Sequence, residues 1–275
     1  MEALKCIDSN NEITDFDPMV SVVIKDNNVY KMWYSKKVRE LYRIFYATSD
    51  DGILWKLKDE ALDLKSMDGG LHHTNYNPSV IKDDDIYKMW FTYNNYKNDI
   101  IRYAHSTNGI DWTVGGVVVD LGNDTDKVHV NSPCVIKDGD TYKMWYTGHD
   151  GINERAHYAT SSDGITWDKH GVVKLSQLDD NENYEHMEPT TVIKDGDTYK
   201  MWYNYFKDDN WYTSYAISND GKKWKEEIFT LKYAVNTTEL RVTMLRVIKD
   251  DGTYKIWCIS YDKHSRRTFF NDATK

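Results

Sequence analysis

The chain has 275 residues, of which 40% are hydrophobic and 14% aromatic, and its formal net charge at pH 7 is -9. This length is sufficient for one domain with a substantial core, and the aromatic content excludes a disordered chain. The acidic balance argues against nucleic acid or an anionic membrane as a partner, and no apolar run approaches the roughly 18 residues that span a bilayer. Residues 1–6 lack the apolar stretch of a secretory signal, which favours a cytoplasmic location.

One phrase occurs five times along the chain. Its first copy reads Val-Ile-Lys-Asp-Asn-Asn-Val-Tyr-Lys-Met-Trp-Tyr and ends at Tyr34. Alternating β-branched and aromatic residues at such a period predict repeated small sheets and exclude a solenoid of helices. The marker tryptophans of the five copies are spaced 55 or 57 residues apart and are Trp33, Trp90, Trp145, Trp202 and Trp257.

A second phrase, Ser-x-Asp-Gly-x-x-Trp or a close variant, follows the first four markers. Its tryptophan comes 22 residues after each marker, first at Trp55. The phrase resembles the Asp-box of sialidases, in which Ser and Asp side chains bind the backbone of an outer turn. We therefore predict a structural role for this phrase, and a packing role for the repeated Trp and Tyr residues.

The third repeat shows how each copy divides into strands. We predict strands over residues 133–137, 141–147, 156–161 and 167–173, with turns at Asp138-Gly139-Asp140 and Asp163-Gly164. Four antiparallel strands repeated radially are typical of a propeller blade. The sequence therefore predicts an all-β fold, a five-bladed β-propeller with four antiparallel strands in each blade.

The last repeat provides only three strands, over residues 242–248, 253–260 and 266–271. A blade without its outer strand would leave an unpaired sheet edge. The N-terminal strand, at about residues 3–8, has no other assignment, and we expect it to complete blade five. Residues 1–275 then form a single domain.

Candidate functional residues lie where the repeats differ, just before each Val-Ile-Lys-Asp phrase, because the innermost strand of a blade lines the central channel. Asp17 and Glu188 are the candidate catalytic pair, since glycoside cleavage uses one carboxyl to protonate the leaving oxygen and another to activate water. The same polar side chains would also suit a channel that is merely wet. The spacing of His and Cys predicts no metal site and no cofactor. The candidate substrate-binding residues are Asp15, His73, Asn77, His129, Ser132, His186 and Arg241.

With these residues the chain resembles the five-bladed propeller glycosidases of glycoside hydrolase family 43, which are related to families 32, 62, 68 and 130. The resemblance implies a general base at Asp17, which Pro18 follows, and a general acid at Glu188. It also implies an Asp-Pro in blade three that tunes the acid. This chain has Ser132-Pro133 there, so one carboxylate of the family pattern is missing.

The resemblance implies an inverting glycoside hydrolase of the family 43 type that acts on a carbohydrate. The missing blade-three carboxylate keeps two alternatives open. One is a glycoside phosphorylase or sugar transferase, in which Arg241 and the histidines hold a phosphate. The other is a propeller that binds a glycan or a protein without catalysis.

Overall fold

The structure is a computed structural model that describes residues 2–3, 5–7, 13–16, 18–62, 73–122, 124–175, 186–207, 210–227, 241–261 and 266–272. Every helix or strand assigned within these ranges is a β-strand, so the fold is all-β as predicted. The described part of the chain contains no helix long and apolar enough to cross a membrane.

The strands form five sheets that follow one another along the chain. The N-terminal strands are β1 (Glu2–Ala3), β2 (Lys5–Ile7) and β3 (Ile13–Asp15). Sheet one contains β4 (Met19–Asp26), β5 (Val29–Val38), β6 (Leu41–Ser49) and β7 (Leu54–Glu60). Sheet two contains β8 (Thr74–Asp83), β9 (Ile86–Asn94), β10 (Asp99–Ser106) and β11 (Thr113–Val119). Sheet three contains β12 (His129–Asp138), β13 (Thr141–His149), β14 (Glu154–Ser161) and β15 (Asp168–Val172), after which comes β16 (Lys174–Leu175). Sheet four contains β17 (His186–Asp195), β18 (Thr198–Lys207), β19 (Asn210–Ser218) and β20 (Lys223–Glu227). Sheet five contains β21 (Arg241–Asp250), β22 (Thr253–Tyr261) and β23 (Arg266–Asp272).

The sheets have a propeller-like arrangement, in which the first strands of all five lie together. β4 contacts β8, and the contacts continue through β12, β17 and β21 back to β4. We call these five strands the inner strands. Within each sheet, strands that are consecutive in the chain pair antiparallel.

The marker tryptophans join neighbouring sheets. Trp90 of sheet two is fully buried and donates its indole N–H to the carbonyl of Gly164 in sheet three, at 2.8 Å. Gly164 has φ +79°, and a Cβ on it would come within 2.9 Å of the Trp90 ring, so only glycine fits this turn. Trp257 of sheet five makes the same bond to Gly52 of sheet one, at 2.9 Å.

The second phrase forms the turn that was expected. Ser49 Oγ accepts the backbone N–H of Gly52 at 2.8 Å, and Asp51 Oδ1 accepts the N–H groups of Ile53 and Leu54. The same bonds recur at Ser161 and in the other copies. The turn and its glycine therefore act as structural parts that hold adjacent sheets together.

The Lys and Asp residues of the repeated phrase connect neighbouring sheets. Asp26 of sheet one accepts hydrogen bonds from Lys31 of its own sheet and from Lys82 and Tyr87 of sheet two. Equivalent clusters centre on Asp83, Asp138 and Asp195. Asp250 of sheet five accepts from Lys25 and Tyr30 of sheet one, at 2.7 and 2.6 Å. We call these five groups the Lys–Asp–Tyr clusters.

The N-terminal segment pairs with two sheets. Glu2 and Ala3 pair with β23 of sheet five, whereas residues 5–7 pair in parallel with β7 of sheet one. The segment expected to complete blade five thus contributes Ala3 to sheet five, and its later residues lie on the adjacent sheet. The Lys5 N–H donates to the carbonyl of Ile53 at 3.0 Å, which satisfies backbone groups at the open edge of β7.

Candidate active site

One cavity of about 530 Å³ opens between sheets one to four. It lies at the N-terminal ends of the inner strands, where the repeats differ. The Lys–Asp–Tyr clusters lie at the opposite ends of these strands. Its lining is polar, with three glutamates and several amides and hydroxyls. The lining residues are Met19, Glu40, Tyr42, Thr74, Tyr76, Asn77, Asn94, Asn131, Ser132, Thr147, Glu154 and Glu188.

Strand register explains why residues distant in sequence meet here. Glu188 pairs with Asn204, the second residue after the marker tryptophan of its sheet. The same pairing places one residue of each inner strand at an equivalent level, which we call the deep row. Its members are Met19, Tyr76, Asn131, Glu188 and Thr243. Four of these five residues line the cavity.

A second level, the rim row, lies two residues nearer the start of each inner strand. It includes the third-strand residues that pair with the fourth residue after each marker tryptophan. Of its described members, Thr74, Tyr42 and Glu154 line the cavity. On the inner strands the row holds Thr74, His129, His186 and Arg241, and on the third strands Tyr42, Asp99, Glu154, Trp211 and Arg266.

A bulge in each inner strand shapes the cavity floor. Asn77 and Ser132 both precede a proline, and both have positive φ, at 47° and 51°. Such backbone strain in non-glycine residues clusters at functional sites and persists only where neighbours hold it. Here the Asn77 N–H donates to Ser35 Oγ, and the Ser132 N–H donates to Thr92 Oγ1, each at 3.0 Å.

Sheet four breaks this pattern. Pro189 occupies the place of Ser132, and proline has neither an N–H group nor access to positive φ. The hydroxyl of Thr147, which is equivalent to Thr92, therefore has no N–H to accept. Within the described residues Thr147 Oγ1 has no hydrogen-bond partner, although only 1% of the residue is exposed. The bulge of sheet four, which differs from the bulges at Asn77 and Ser132, directly follows Glu188.

Glu188 is held by a short hydrogen-bond chain. Asn77 Nδ2 donates to Ser132 Oγ at 2.9 Å, and the Ser132 hydroxyl is bonded to the Glu188 carboxyl. Burial raises the pKa of Glu188, and the negative charge of Glu154 adds to this effect. The Ser132 bond and the positive charge of Arg246 oppose it without cancelling it. A carboxyl with a raised pKa is suited to donate a proton.

Tyr76 is another deep-row residue of the cavity lining, and the negative charge of Glu188 acts on it. Burial raises its pKa, with further contributions from the charge of Asp99 and the hydrogen bond to it. Asp99 also accepts from Asn94 Nδ2 at 2.7 Å. Tyr76 is therefore a neutral phenol in a fixed position on the cavity wall.

The histidines take different positions from those expected. His186 lies outside the cavity lining, but its Nδ1 is 3.1 Å from Glu154 Oε2, so it orients a lining carboxylate. His129 Nδ1 accepts the N–H of Asp99 at 3.0 Å, and its ring contacts that of His149. The His73 ring packs against Tyr93. All three are absent from the lining.

The other predicted site residues are placed as follows. Asn77, Ser132 and Glu188 come together in the cavity. Asp15 and Arg241 lie in β3 and β21, and the structure describes only their backbone. Asp17 lies outside the described residues. No group of three or more His, Cys, Asp or Glu side chains in the described ranges is arranged to hold a metal ion.

The residues that second and third strands bring to the cavity were not predicted from the differences between the five inner strands. Glu154 and Tyr42 come from third strands, and Thr147 comes from a second strand. A signal for the second strands is present two residues after each marker tryptophan. The residues there are Ser35, Thr92, Thr147, Asn204 and Ile259, four of them polar directly after an apolar Met-Trp-Tyr or Met-Trp-Phe run.

The model of glycoside hydrolase family 130, described as beta-1,4-mannooligosaccharide phosphorylase, matches residues 70–243. The match covers more than half of the chain, so this chain belongs to glycoside hydrolase family 130. The resemblance to propeller glycosidases inferred from the sequence is confirmed at the level of this superfamily.

Two uncharacterized proteins of Mycobacterium tuberculosis are similar to part of the chain. They are MT1551 of strain CDC 1551 / Oshkosh, 34% identical over 97 residues, and Rv1502 of strain ATCC 25618 / H37Rv, 33% identical over 97 residues. Each match covers 33% of this chain and 32% of the relative. The similarity therefore spans about a third of these relatives' length.

Solved propeller structures share the fold over nearly the whole chain. The Cellvibrio cellulosa alpha-L-arabinanase complexed with arabinohexaose has a TM-score of 0.69 at 12% identity, covering 94% of this chain and 92% of the arabinanase. An exo-1,5-alpha-L-arabinanase from a bovine ruminal metagenomic library has a TM-score of 0.70 at 13% identity, covering 99% and 94%. A thermostable family-43 glycoside hydrolase has a TM-score of 0.71 at 16% identity, covering 94% and 90%. At such identities the likeness shows the fold alone.

Proposed function

We propose that the chain is a glycoside phosphorylase that cleaves a β-1,4-linked mannooligosaccharide with phosphate, and that Glu188 is its general acid. The observation that carries this proposal is the position of Glu188, a carboxyl in the cavity wall whose pKa burial raises and whose orientation Ser132 fixes. Membership of family 130 supports the choice of phosphate and of a mannose-containing substrate.

The reaction needs one proton donor. As a phosphate oxygen forms a bond to the anomeric carbon, the bond from that carbon to the leaving sugar oxygen breaks, and Glu188 gives its proton to that oxygen. Phosphate is already anionic at neutral pH, so its attack requires no general base. One carboxyl with a raised pKa is therefore sufficient for phosphorolysis, whereas hydrolysis needs a second carboxylate to activate water.

Phosphate also needs a cationic partner, and the described lining contains glutamates but neither Lys nor Arg. We assign this part to Arg241, because the register places it in the rim row, level with Thr74 of the cavity lining. Replacing Arg241 with Gln should raise the KM for phosphate far more than the KM for the sugar. The glutamates in turn favour a neutral sugar over an acidic one.

Inverting hydrolysis is the second candidate, and the place of Asp17 favours it. Counted back from the Val-Ile-Lys-Asp phrase, Asp17 takes the same place as Thr74, which lines the cavity. A carboxylate at that place in the sequence would serve as the general base that activates water. In this second candidate Asp17 is the general base and Glu188 the general acid.

We also propose that the five sheets are the blades of a five-bladed propeller closed by the N-terminal strand, with the cavity at the mouth of its central channel. Asp250 and Trp257 bond to sheet one as their counterparts bond to the next sheet. The N-terminal register supports closure as well. Ala3 pairs with Phe269, which lies twelve residues after Trp257. In the same way, Val172 pairs with His157, which lies twelve residues after Trp145. β2 then joins β7 as β16 joins β20.

Incubation of the protein with β-1,4-mannobiose and mannotriose, with and without phosphate, tests the function. We expect a mannose 1-phosphate to form only when phosphate is present. Release of free mannose at the same rate without phosphate would establish hydrolysis instead. Absence of turnover on mannose-, arabinose- and glucose-based oligosaccharides in either condition would contradict both and favour a binding role.

A further inference from the structure

Among its described members, the rim row contains one tryptophan. On the third strands it holds Tyr42, Asp99 and Glu154 in sheets one to three, and Trp211 in sheet four. Tyr42 and Glu154 line the cavity, so their counterpart in sheet four stands at the continuation of the same rim.

Trp211 is held flat and partly open to solvent. It stacks on the His186 ring with centroids 5.7 Å apart and an interplanar angle of 24°. Phe206 packs against both rings, at 5.4 Å from Trp211 and 5.8 Å from His186. Even so, 38% of Trp211 remains exposed. An indole that neighbouring rings hold in place presents a fixed apolar face to solvent, and aromatic side chains are enriched in binding surfaces.

The ring is also connected to the cavity. His186 Nδ1 is 3.1 Å from Glu154 Oε2, and Glu154 lines the cavity. His186 and Glu188 are two residues apart on β17 and face the same side, which places them about 7 Å apart along the strand. The line from Glu188 through His186 to Trp211 therefore leads out of the cavity at the scale of successive sugar rings.

We infer that Trp211 is a sugar-stacking subsite, which binds a second or third ring of a neutral oligosaccharide whose reacting bond lies at Glu188. The C–H groups on one face of a pyranose carry partial positive charge and pack on the electron-rich face of an indole. The site thus prefers oligosaccharides to monosaccharides. This inference rests on the proposed function only in that it places a sugar in the cavity.

The neighbouring residue provides a matched control. Tyr212 follows Trp211 on β19 and is similarly exposed, at 43%. It faces the opposite side of the sheet, where it stacks on Tyr205 at 5.1 Å. A general effect of removing an exposed aromatic ring would appear at both positions, whereas loss of a subsite would appear only at Trp211.

Calorimetric binding of mannose, β-1,4-mannobiose and mannotriose to Glu188→Gln protein, in which turnover is blocked, tests the inference. We expect Trp211→Ala to weaken mannotriose binding at least fivefold and to change mannose binding less than twofold. Tyr212→Ala should change neither, and Trp211→Tyr should retain part of the mannotriose affinity. Urea unfolding of each variant confirms that it folds.

The outcomes separate this inference from the proposed function. A Trp211 effect on mannotriose without any turnover in the parent protein would support the subsite and contradict the phosphorylase. Turnover with no change of chain-length preference in Trp211→Ala would do the reverse. The subsite would be overturned if Glu188→Gln protein with Trp211 intact binds mannotriose no more tightly than mannose, or binds none of these sugars.

Discussion

The two ends of the inner strands differ in how alike the five sheets are. At one end, every sheet places an Asp of the Val-Ile-Lys-Asp phrase against Lys and Tyr of the next sheet, and Asp250 does so against sheet one. At the other end, equivalent backbone positions carry Met, Tyr, Asn, Glu and Thr. Identical side chains therefore hold the sheets together, whereas different side chains at equivalent positions form the candidate site.

The carboxyls at the two ends have opposite electrostatics. At Asp138, hydrogen bonds from Lys143, Lys194 and Tyr199 hold the pKa well below its usual range. At Glu188, burial raises the pKa, and the Ser132 bond only partly compensates. The first environment stabilises an ionised carboxylate, and the second keeps a carboxylic acid available for proton transfer.

The largest expected effect is at Glu188. Glu188→Gln removes the proton donor but keeps the shape and the hydrogen bond to Ser132, so we expect kcat to fall about 10²- to 10⁴-fold on mannobiose with phosphate. Steady-state kinetics of mannose 1-phosphate release measures this. The ionised form of a carboxyl whose pKa is raised costs folding energy above that pKa, so the variant should be no less stable at pH 7. Unchanged kcat would exclude Glu188 as the acid.

The second effect concerns the Lys–Asp–Tyr clusters. Asp250→Asn and Asp83→Asn each remove a charged acceptor of several hydrogen bonds, and should each lower the free energy of unfolding by about 2 kcal/mol while kcat stays unchanged. Asp251→Asn is the matched control, since 93% of the Asp251 side chain is exposed. If both variants lose the same unfolding free energy, sheet five contacts sheet one in the same way as the other neighbouring sheets contact each other. A loss in Asp83→Asn alone would mean that sheets five and one are not joined.

The clusters also predict a pH dependence. Because their folded pKa values are lowered, the stability they contribute is present above the unfolded Asp pKa of about 3.9 and is lost as pH falls toward the folded values. Urea unfolding between pH 5 and pH 2.5 should therefore show a steep loss of stability. Asp83→Asn should show a shallower loss, since one contributing carboxylate is gone.

A smaller effect separates two neighbouring bulges. Thr92→Val leaves the Ser132 N–H without its acceptor and should cost about 1–3 kcal/mol of unfolding free energy. Thr147→Val removes a buried hydroxyl that has no partner among the described residues, so it should be neutral or slightly stabilising. Denaturant midpoints of the two isosteric variants make the comparison. Equal destabilisation would show that Pro189 does not change the bonding of Thr147.

The smallest effect is on the pH profile. Ser132→Ala removes a hydrogen bond that lowers the pKa of Glu188, so that pKa should rise further above its ordinary value. Activity that requires protonated Glu188 falls as pH rises through this pKa, so the alkaline limb of kcat/KM should move to higher pH. An alkaline limb at an unchanged pH would show that Ser132 does not tune the acid.

Much of the scaffold could be predicted from the sequence, because the residues that form it recur in each repeat. The marker tryptophans, the Asp-Gly turns and the strand order of repeat three follow from local patterns, and the structure shows them. The strand starts were less predictable. β12 begins at His129 rather than at 133, because the bulge at Ser132 allows Pro133 within a strand.

The candidate site could be predicted only in part. Comparing the inner strands brought out Asn77, Ser132 and Glu188, which share a wall of the cavity. Glu154 and Trp211 depend on third strands, whose register with the inner strands no local pattern specifies. The same limit applies to the Lys–Asp–Tyr clusters, since the Lys and Tyr partners come from the next repeat.

At the N-terminal ends of the inner strands, where the five sheets carry different side chains, Glu188 is the proposed proton donor. The most direct measurement is a carbon-13 NMR titration of glutamate side-chain carboxyls, with Glu188→Gln assigning the signal. We expect Glu188 to titrate above the usual glutamate pKa of about 4.3, and higher still in Ser132→Ala. Titration of Glu188 at or below that ordinary value would contradict it.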